Sequence, residues 1–402
     1  MKDYSSKAVH VGIPRGHAEP LGIPIYPAAA YQFDELDVAA DEFQQNTGYS
    51  YIRMQNMTNQ ALEERLNSLE RADATVVMAS GQAATLACFL STCKAGDHIV
   101  ASSAVFGGTA GLLNNVLPNL GITSTIVDNN PEAAKGAMQE NTRLLWVETV
   151  SNPNGDVADL QGWADVAHAH GALFCVDNTL AGVGYLCRPF DHGADMIMHS
   201  LTKWAGGHGS ALAGCVMVKH GSNIDNIPIL QDLKAQYGDQ ALARKVRSIG
   251  VHQLGMTLSP FNAFMIAQGL ETLELRMLKE CDNAMKVARF LKAHSRVKSV
   301  NYSGLESSSF HALGQQYLKN GFGAVMSFEV EDPQRFFASL KMIRMVANLG
   351  DTRTLCIHPW TTTHGRLTEE GKQAAGVTPY LIRMTVGVES LEDIIADLEG
   401  AL

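Results

Sequence analysis

No apolar run in this chain approaches the roughly 20 residues that a membrane-spanning helix needs, which argues against a membrane protein. No basic run stands out either. The 31 Lys+Arg against 41 Asp+Glu leave a net charge of −10, so a nucleic-acid partner is not expected. The seven cysteines, at 88, 93, 175, 187, 215, 281 and 356, contain no C-x-x-C pair. Most sit in apolar runs, as reduced buried thiols of a cytoplasmic protein do, and neither a disulfide framework nor a metal site is expected. The opening Met1-Lys2-Asp3-Tyr4-Ser5-Ser6-Lys7 lacks the apolar core of a secretory signal. Internal repeats, low-complexity tracts and long linkers are also missing. What remains is ordinary globular composition, 46% hydrophobic and 18% charged, over 402 residues, enough for two or three domains with a sizeable core.

The first 50 or so residues are rich in Gly, Pro and Ala and show no sustained periodicity, so residues 1–55 read as an extended arm that packs on something else, such as a neighbouring subunit. From 56 to 250 strand-like and helical stretches alternate. Strands are expected at Thr75–Ala79, Ile99–Ser102, Thr123–Val127, Arg143–Glu148, Leu173–Asp177, Met196–His199 and Cys215–Lys219. Helices are expected at Ala61–Leu69, Ala83–Cys93, Gly107–Leu120 and Leu160–His170. Such alternation predicts an α/β domain with a mostly parallel central sheet and helices on both faces, which binds ligands at the carboxyl ends of its strands. Residues 251–402 change pattern: a long helical stretch over Asn262–His294, strands at Val297–Tyr302, Ala324–Glu329 and Tyr380–Val386, and a terminal helix over Leu391–Leu402. This predicts a smaller C-terminal α+β domain.

Three strand ends hold the chemistry. His199-Ser200-Leu201-Thr202-Lys203 leads from a strand into the glycine-rich Gly206-Gly207-His208-Gly209. A lysine after a strand is usually a solvated loop residue, but a desolvated amine there can form an imine with an aldehyde. Asp177 ends the apolar strand Leu173–Val176. A buried carboxylate needs a cationic partner, such as a protonated pyridine nitrogen, although a helix cap or salt bridge would also account for it. Ser80-Gly81-Gln82-Ala83-Ala84 joins a strand to a helix start whose free amides can hold phosphate. Lysine, strand-end acid and phosphate cradle together are what pyridoxal 5′-phosphate requires of a protein.

At this point the chain resembles, over nearly its whole length, the PLP-dependent enzymes of Cys/Met metabolism. These belong to the fold type I group of PLP-dependent transferases, with cystathionine γ-synthase, methionine γ-lyase and O-acetylhomoserine sulfhydrylase. The matching segments are Tyr51-Ile52-Arg53, Ser80 to Ala84, Phe106-Gly107-Gly108-Thr109, Glu148-Thr149-Val150-Ser151-Asn152-Pro153, Val176-Asp177-Asn178-Thr179, His199 to His208, and Ile382 to Glu389. The resemblance implies that Lys203 binds the cofactor and shuttles protons, and that Asp177 pairs with the ring nitrogen. It places Gly81, Gln82, Ser200 and Thr202 on the phosphate, Asn152 near the ring hydroxyl, Phe106 on the ring face and Thr179 at the cofactor. Arg383 grips the substrate carboxylate, beside Asn348. Tyr51 and Arg53 reach the phosphate from a neighbouring subunit, in a homo-oligomer built as a dimer of active dimers.

Within that family the chain is similar to the sulfhydrylases. Gln82 stands where lyases and synthases more often have Met. Asn348 and Arg353 stand where the cystathionine enzymes tend to have Ser and Glu, and Thr362 precedes Thr363-His364 where Met is usual. An Arg at 353 would repel the distal ammonium of cysteine or cystathionine, which favours sulfide, a simple thiol or something anionic as nucleophile, unless Arg353 is a solvated surface residue. Phe106 replaces the usual Tyr, keeping a ring face and losing a phenol. Met57 replaces the usual Pro. The expected activity is γ-replacement on an O-acylated homoserine, O-acetylhomoserine first, with sulfide or a thiol, giving homocysteine or a relative. Alternatives are γ-elimination of the methionine or cystathionine type, γ-substitution with another nucleophile, and a non-catalytic scaffold.

Overall fold

A computed structural model describes residues 1–45, 48–365 and 368–402. Seven strands build the larger sheet: β1 Ala74–Met78, β2 His98–Ser102, β3 Thr123–Val127, β4 Thr142–Glu148, β5 Leu173–Asp177, β6 Met196–His199 and β7 Gly214–Val218. Their order is β1-β7-β6-β5-β4-β2-β3. All pairings from β6 through β3 are parallel, and β7 runs antiparallel to both neighbours, so only β7 points the other way. The expected strands are all found, to within a residue or two at each end.

Side-chain alternation divides the core between the two faces of this sheet. Val77, Leu145, Val147, Phe174, Val176, Ile197 and Met217 face one apolar cluster. Val76, Met78, Leu144, Trp146, Cys175, Met196, Met198 and Val216 face the other. Both sets are buried because a parallel sheet is covered on both sides. The helices Gly81–Thr92 and Ala241–Arg247 contribute to the second cluster, and Leu160–Ala169 to the first.

A second sheet holds β8 Val297–Asn301, β9 Val325–Val330, β10 Arg344–Met345, β11 Leu355–Ile357 and β12 Leu381–Thr385, in the order β10-β11-β12-β9-β8. The expected boundary at residue 250 falls in the π-helical turn Ser248–Gln253, between the two sheets. The two-residue β10 and three-residue β11 were not expected; they are too short to produce a periodic signal.

Several expectations need correction. The arm over residues 1–55 is not simply extended: it holds helices Tyr4–His10 and Leu36–Gln45. The first is docked rather than self-supporting, with Ala8 buried and the Tyr4 hydroxyl donating to the Val183 carbonyl at 2.9 Å. A seven-residue helix has too few turns to show periodicity. Gly107–Leu120 is three pieces, α-helical Gly107–Gly111, π-helical Leu112–Val116 and 3₁₀ Leu117–Leu120. Three glycines weaken its start and Pro118 removes a backbone donor near its end. The stretch over Asn262–His294 is two helices, Pro260–Glu271 and Leu273–Ala293, broken at Thr272. The helix Pro131–Ala137 was not anticipated.

The end of β1 and the start of β7 lie close enough to admit only glycine at 214. A Cβ there would come within 2.2 Å of the Ser80 carbonyl oxygen and 2.7 Å of the Gly81 nitrogen, both backbone atoms. Gly214→Ala is therefore expected to displace the Ser80–Gly81 turn. It should destabilise the protein by about 1–3 kcal/mol, the usual cost of overpacking, read as a fall in Tm together with weaker retention of the cofactor on dialysis.

Candidate active site

Because β1, β2, β4, β5 and β6 point the same way, the turns that leave them collect at one edge of the sheet. The cavity at that edge has a volume of about 410 Å³. β1 delivers Ser80, Gly81 and Gln82; the turn after β2 delivers Phe106; β4 ends in Glu148 and leads to Asn152. β5 delivers Asp177 and Thr179, and β6 leads to Ser200, Thr202 and Lys203. The smaller domain closes the cavity with Ala347, Asn348, Leu349, Thr363 and Arg383.

All the expected site residues line this cavity except two. Tyr51 is 44% exposed, and the Arg53 guanidinium donates to the His252 carbonyl instead. Neither is among the cavity's lining residues.

Polar side chains from both domains meet inside. The Lys203 Nζ donates to the Asn348 Oδ1 at 2.7 Å. Burial, reinforced by the charge of Arg383, lowers the Lys203 amine from its ordinary 10.5 to about 8. Arg383 is buried, donates from Nη2 to the Asn348 carbonyl at 2.8 Å and from Nη1 to the Asn152 Oδ1 at 3.4 Å, and leaves its buried Nε without a partner among the described residues. Burial also lowers its guanidinium to about 10. An incompletely paired guanidinium in a cavity suits a planar anion such as a carboxylate.

Two carboxyl groups lie side by side in register across β4 and β5, Glu148 and Asp177. Glu148 is raised well above its ordinary value, by burial first and by the charge of Asp177 second. Two adjacent buried carboxylates oppose each other's ionisation, which pushes the pair towards holding a proton. Glu148 also accepts from the Phe106 backbone amide. Asp177 is raised too, by burial, while Thr179 donates its backbone amide to the Asp177 Oδ1 at 3.0 Å. Among the described residues no ion pair involves Asp177. A cationic ring nitrogen would supply the missing partner.

The helix Gly81–Thr92 opens at the cavity floor, capped by the Ser80 side chain, which accepts from the Ala83 amide at 3.1 Å. A Cβ on Gly81 would lie 2.8 Å from the Ser200 Cβ, so the helix start and the end of β6 pack as a narrow cradle. The hydroxyl of Thr202 is already engaged with the backbone of Ala213, donating to its carbonyl and accepting from its amide, each at 3.1 Å. Amine, unpaired acid and amide cradle fit pyridoxal 5′-phosphate.

Glu148 and Thr363 stand on the cavity although neither was given a role from the sequence. Glu148 had the same signal as Asp177, an acid ending an apolar strand; Thr363 had none, because its contribution comes from the other domain. Arg353 does not line the cavity. Its Nε lies 2.7 Å from the Asp351 Oδ1, its Nη2 donates to the His208 carbonyl, and its side chain is 62% exposed. Its charge is therefore balanced by Asp351 and gives no support to repulsion of an ammonium nucleophile.

Residues 5–402 match the family described as Cys/Met metabolism PLP-dependent enzyme. The chain belongs to that family. It is 39% identical over 420 residues to the homocysteine synthase of Schizosaccharomyces pombe, covering 99% of this chain and 98% of that protein. It is 36% identical to the L-methionine gamma-lyase of Fusobacterium nucleatum subsp. polymorphum, over 98% and 96% of the two chains. Among solved structures, a Campylobacter jejuni protein described as an O-acetylhomoserine (thiol)-lyase superposes with a TM-score of 0.92 at 34% identity, covering 99% of each chain. That structure contains a pyridoxyl-lysine phosphate. The present chain is a PLP-dependent enzyme of the fold type I group.

A lysine at about 8 has roughly a tenth of its amine neutral at pH 7, against fewer than one in a thousand for an ordinary lysine. Lowering the pH protonates it. The rate at which cofactor-free protein takes up pyridoxal 5′-phosphate is therefore expected to rise as pH increases through about 8 and then level off. Stopped-flow absorbance in the visible would follow it, and Lys203→Ala should abolish the signal. A flat profile between pH 6.5 and 9 would contradict the desolvated amine.

Proposed function

We propose that this enzyme replaces the acyloxy group of an O-acylated homoserine, O-acetylhomoserine first, with sulfide or a simple thiol, giving homocysteine or a related amino acid. The observation that supports replacement over thioether cleavage is the residue at the ring-facing position of the cavity. Phe106 offers a ring face and no acidic proton. A departing carboxylate is weakly basic and needs little protonation, whereas a departing thiolate needs more.

Bound pyridoxal 5′-phosphate supplies an electron sink that acidifies hydrogens on an amino acid joined to it. Arg383 grips the substrate carboxylate, and its contacts with Asn348 and Asn152 fix the angle of that grip. Lys203, lowered by burial, takes the α-proton and returns protons later. Asp177 keeps the ring nitrogen charged. The Gly81 and Gln82 amides with Ser200 hold the phosphate, assisted by Thr202, and Thr179 anchors Asp177 through its amide. Phe106 would offer its face to the ring, and Asn152 would serve the ring hydroxyl.

Tyr51 and Arg53 act across a subunit interface. Their position outside the chain's own cavity supports this, as does the docked N-terminal arm. The working unit is thus at least a dimer, assembled as a dimer of active dimers. The seven cysteines are buried free thiols, which suits a cytoplasmic setting.

Incubation with acetyl-, succinyl- and phosphohomoserine, with and without sulfide, followed by mass spectrometry and ammonia assay, is expected to yield homocysteine from acetylhomoserine. Rapid cleavage of methionine or cystathionine with no reaction on any activated homoserine would favour the lyase reading instead. In the same assay Phe106→Ala should lose a factor of a few to about ten through the lost ring contact. Phe106→Tyr should leave acetylhomoserine turnover within a fewfold; a gain of roughly a hundredfold would mean that a missing general acid limits the rate.

Shared sites are tested by mixing. An Arg53→Ala chain and a Lys203→Ala chain are each expected to be nearly inactive. Refolded together they should regain activity, because some hybrid sites then have both residues intact. Full activity in a particle shown by light scattering to be a monomer would refute the arrangement.

A further inference from the structure

Lys203 is followed by Trp204, which is buried and belongs to neither sheet. The long helix Leu273–Ala293 grips it with two side chains one turn apart. The Trp204 Nε1 donates to the Glu280 Oε2 at 2.7 Å, and the Arg276 Nη2 donates to the Trp204 carbonyl at 2.9 Å. The smaller domain presses on the same residue. Gly350 has a φ of +68°, and a Cβ there would stand 2.6 Å from the Trp204 nitrogen and 2.8 Å from its Cδ2. Two further bonds tie these loops together: the Thr352 amide donates to the Gly207 carbonyl at 3.0 Å, and the Arg353 Nη2 to the His208 carbonyl at 2.9 Å. Trp204 is thus next to Lys203 in the chain and against the loop that carries Asn348 in space.

We propose that Trp204, gripped by ionised Glu280, is a positioning residue for Lys203, keeping its amine seated on the Asn348 side chain and out of water. The proposal rests on Lys203 as the cofactor's lysine and not on the choice of substrate.

The Lys203 Nζ reaches the Asn348 Oδ1 at 2.7 Å only while the backbones at 203 and 348 keep their spacing. Trp204 lies against Gly350 with no room for a methyl group between them, so a tilt of Trp204 moves the Asn348 loop as well as Lys203. The indole has one polar atom, its N–H, and Glu280 receives it. An ionised carboxylate accepts such a bond about twice as strongly as a neutral group.

The charges around Glu280 decide when it is ionised. Burial, the largest cause, raises it to about 7; Arg276 and the Trp204 bond oppose the rise, and Asp351 and Glu389 add to it. Asp351 lies on the small-domain loop and pairs with Arg353 at 2.7 Å. Glu389 stands just before the helix Leu391–Ala401 and accepts from the amide and hydroxyl of Thr354. Above about pH 7 an anion therefore holds the indole. Below it the carboxyl takes up a proton, the bond weakens, and the amine regains water.

Cofactor-free wild type, Trp204→Phe, Glu280→Leu, Glu280→Gln and Lys203→Ala chains would be mixed with pyridoxal 5′-phosphate from about pH 6 to 10, a range that spans both groups. Visible absorbance follows imine formation, and thermal melts check folding. For Trp204→Phe and Glu280→Leu the midpoint of the uptake rate should move up by about one pH unit, towards an ordinary lysine, as water reaches the amine. Glu280→Gln keeps an acceptor for the indole, so at pH 8 its midpoint and rate should stay close to wild type. In the loaded enzyme with acetylhomoserine, Trp204→Phe should lower kcat about tenfold or more and move KM by less than about threefold, as a misplaced proton carrier does. Wild-type kcat should fall as pH drops through about 7, and Glu280→Gln should lack that fall. A Trp204→Phe chain with a lowered Tm and an unmoved midpoint would show packing alone and overturn the positioning role. Should that variant fail to fold, Glu280→Leu decides by the same midpoint. An acid fall in kcat shared by Glu280→Gln overturns the part given to its charge. Imine formation by Lys203→Ala overturns the assignment of Lys203, and this proposal with it. Inertness towards every acylated homoserine overturns the functional reading alone, because the uptake midpoints need no substrate and still decide this one.

Discussion

Desolvation at one edge of a parallel sheet is the constraint on which the rest of the structure depends. Lys203, Arg383, Asp177 and Glu148 are withdrawn from water together, and each is moved towards its neutral form. Removing an ion from water costs several kcal/mol, so such a cluster persists only where the surrounding fold holds it. Here two apolar clusters, one on each face of the seven-stranded sheet, supply that rigidity. The cost is functional: a neutral amine can attack an aldehyde, and an unpaired acid can hold a cationic ring nitrogen.

The smaller domain completes this environment. Asn348 receives the Lys203 amine on its side chain and the Arg383 guanidinium on its carbonyl. One residue therefore sets the position of the Lys203 amine relative to the Arg383 guanidinium. Arg383 lies within β12, paired on one side with β9 and on the other with β11. A shift of that sheet would carry Arg383 with it, so the geometry of the cavity depends on how the two sheets are fixed against each other.

The surroundings of Asn152, which lines two neighbouring cavities, follow from the same topology. The turns after β2 and β4 lie side by side because those strands pair in parallel. Glu148, at the end of β4, accepts from the Phe106 amide and so joins one turn to the other. Phe106 then lines the Lys203 cavity, and Val105 lines a second, smaller cavity beside it. Glu148 is engaged with the backbone here, while Asp177 beside it has no ion pair among the described residues.

The large sheet and most of the residues at its binding edge are legible in the amino-acid order alone. The strands are apolar runs of high β-propensity, each ending in a polar residue or small-residue turn, and in a parallel sheet such ends converge. Ser80 to Gln82, Asp177 and Ser200 to Lys203 could therefore be read as one site before any coordinates. The rest depends on long-range packing. Tyr51 and Arg53 lie off the chain's own cavity because the arm that bears them packs elsewhere, a matter of long-range docking that no local pattern encodes. Arg353 is neutralised by Asp351, two residues away, and no local pattern indicates which direction its side chain takes. Thr363 and His364 are adjacent in sequence yet line different cavities, because the side chains of consecutive residues need not point the same way. Which cavity each one faces depends on how the second domain meets the first.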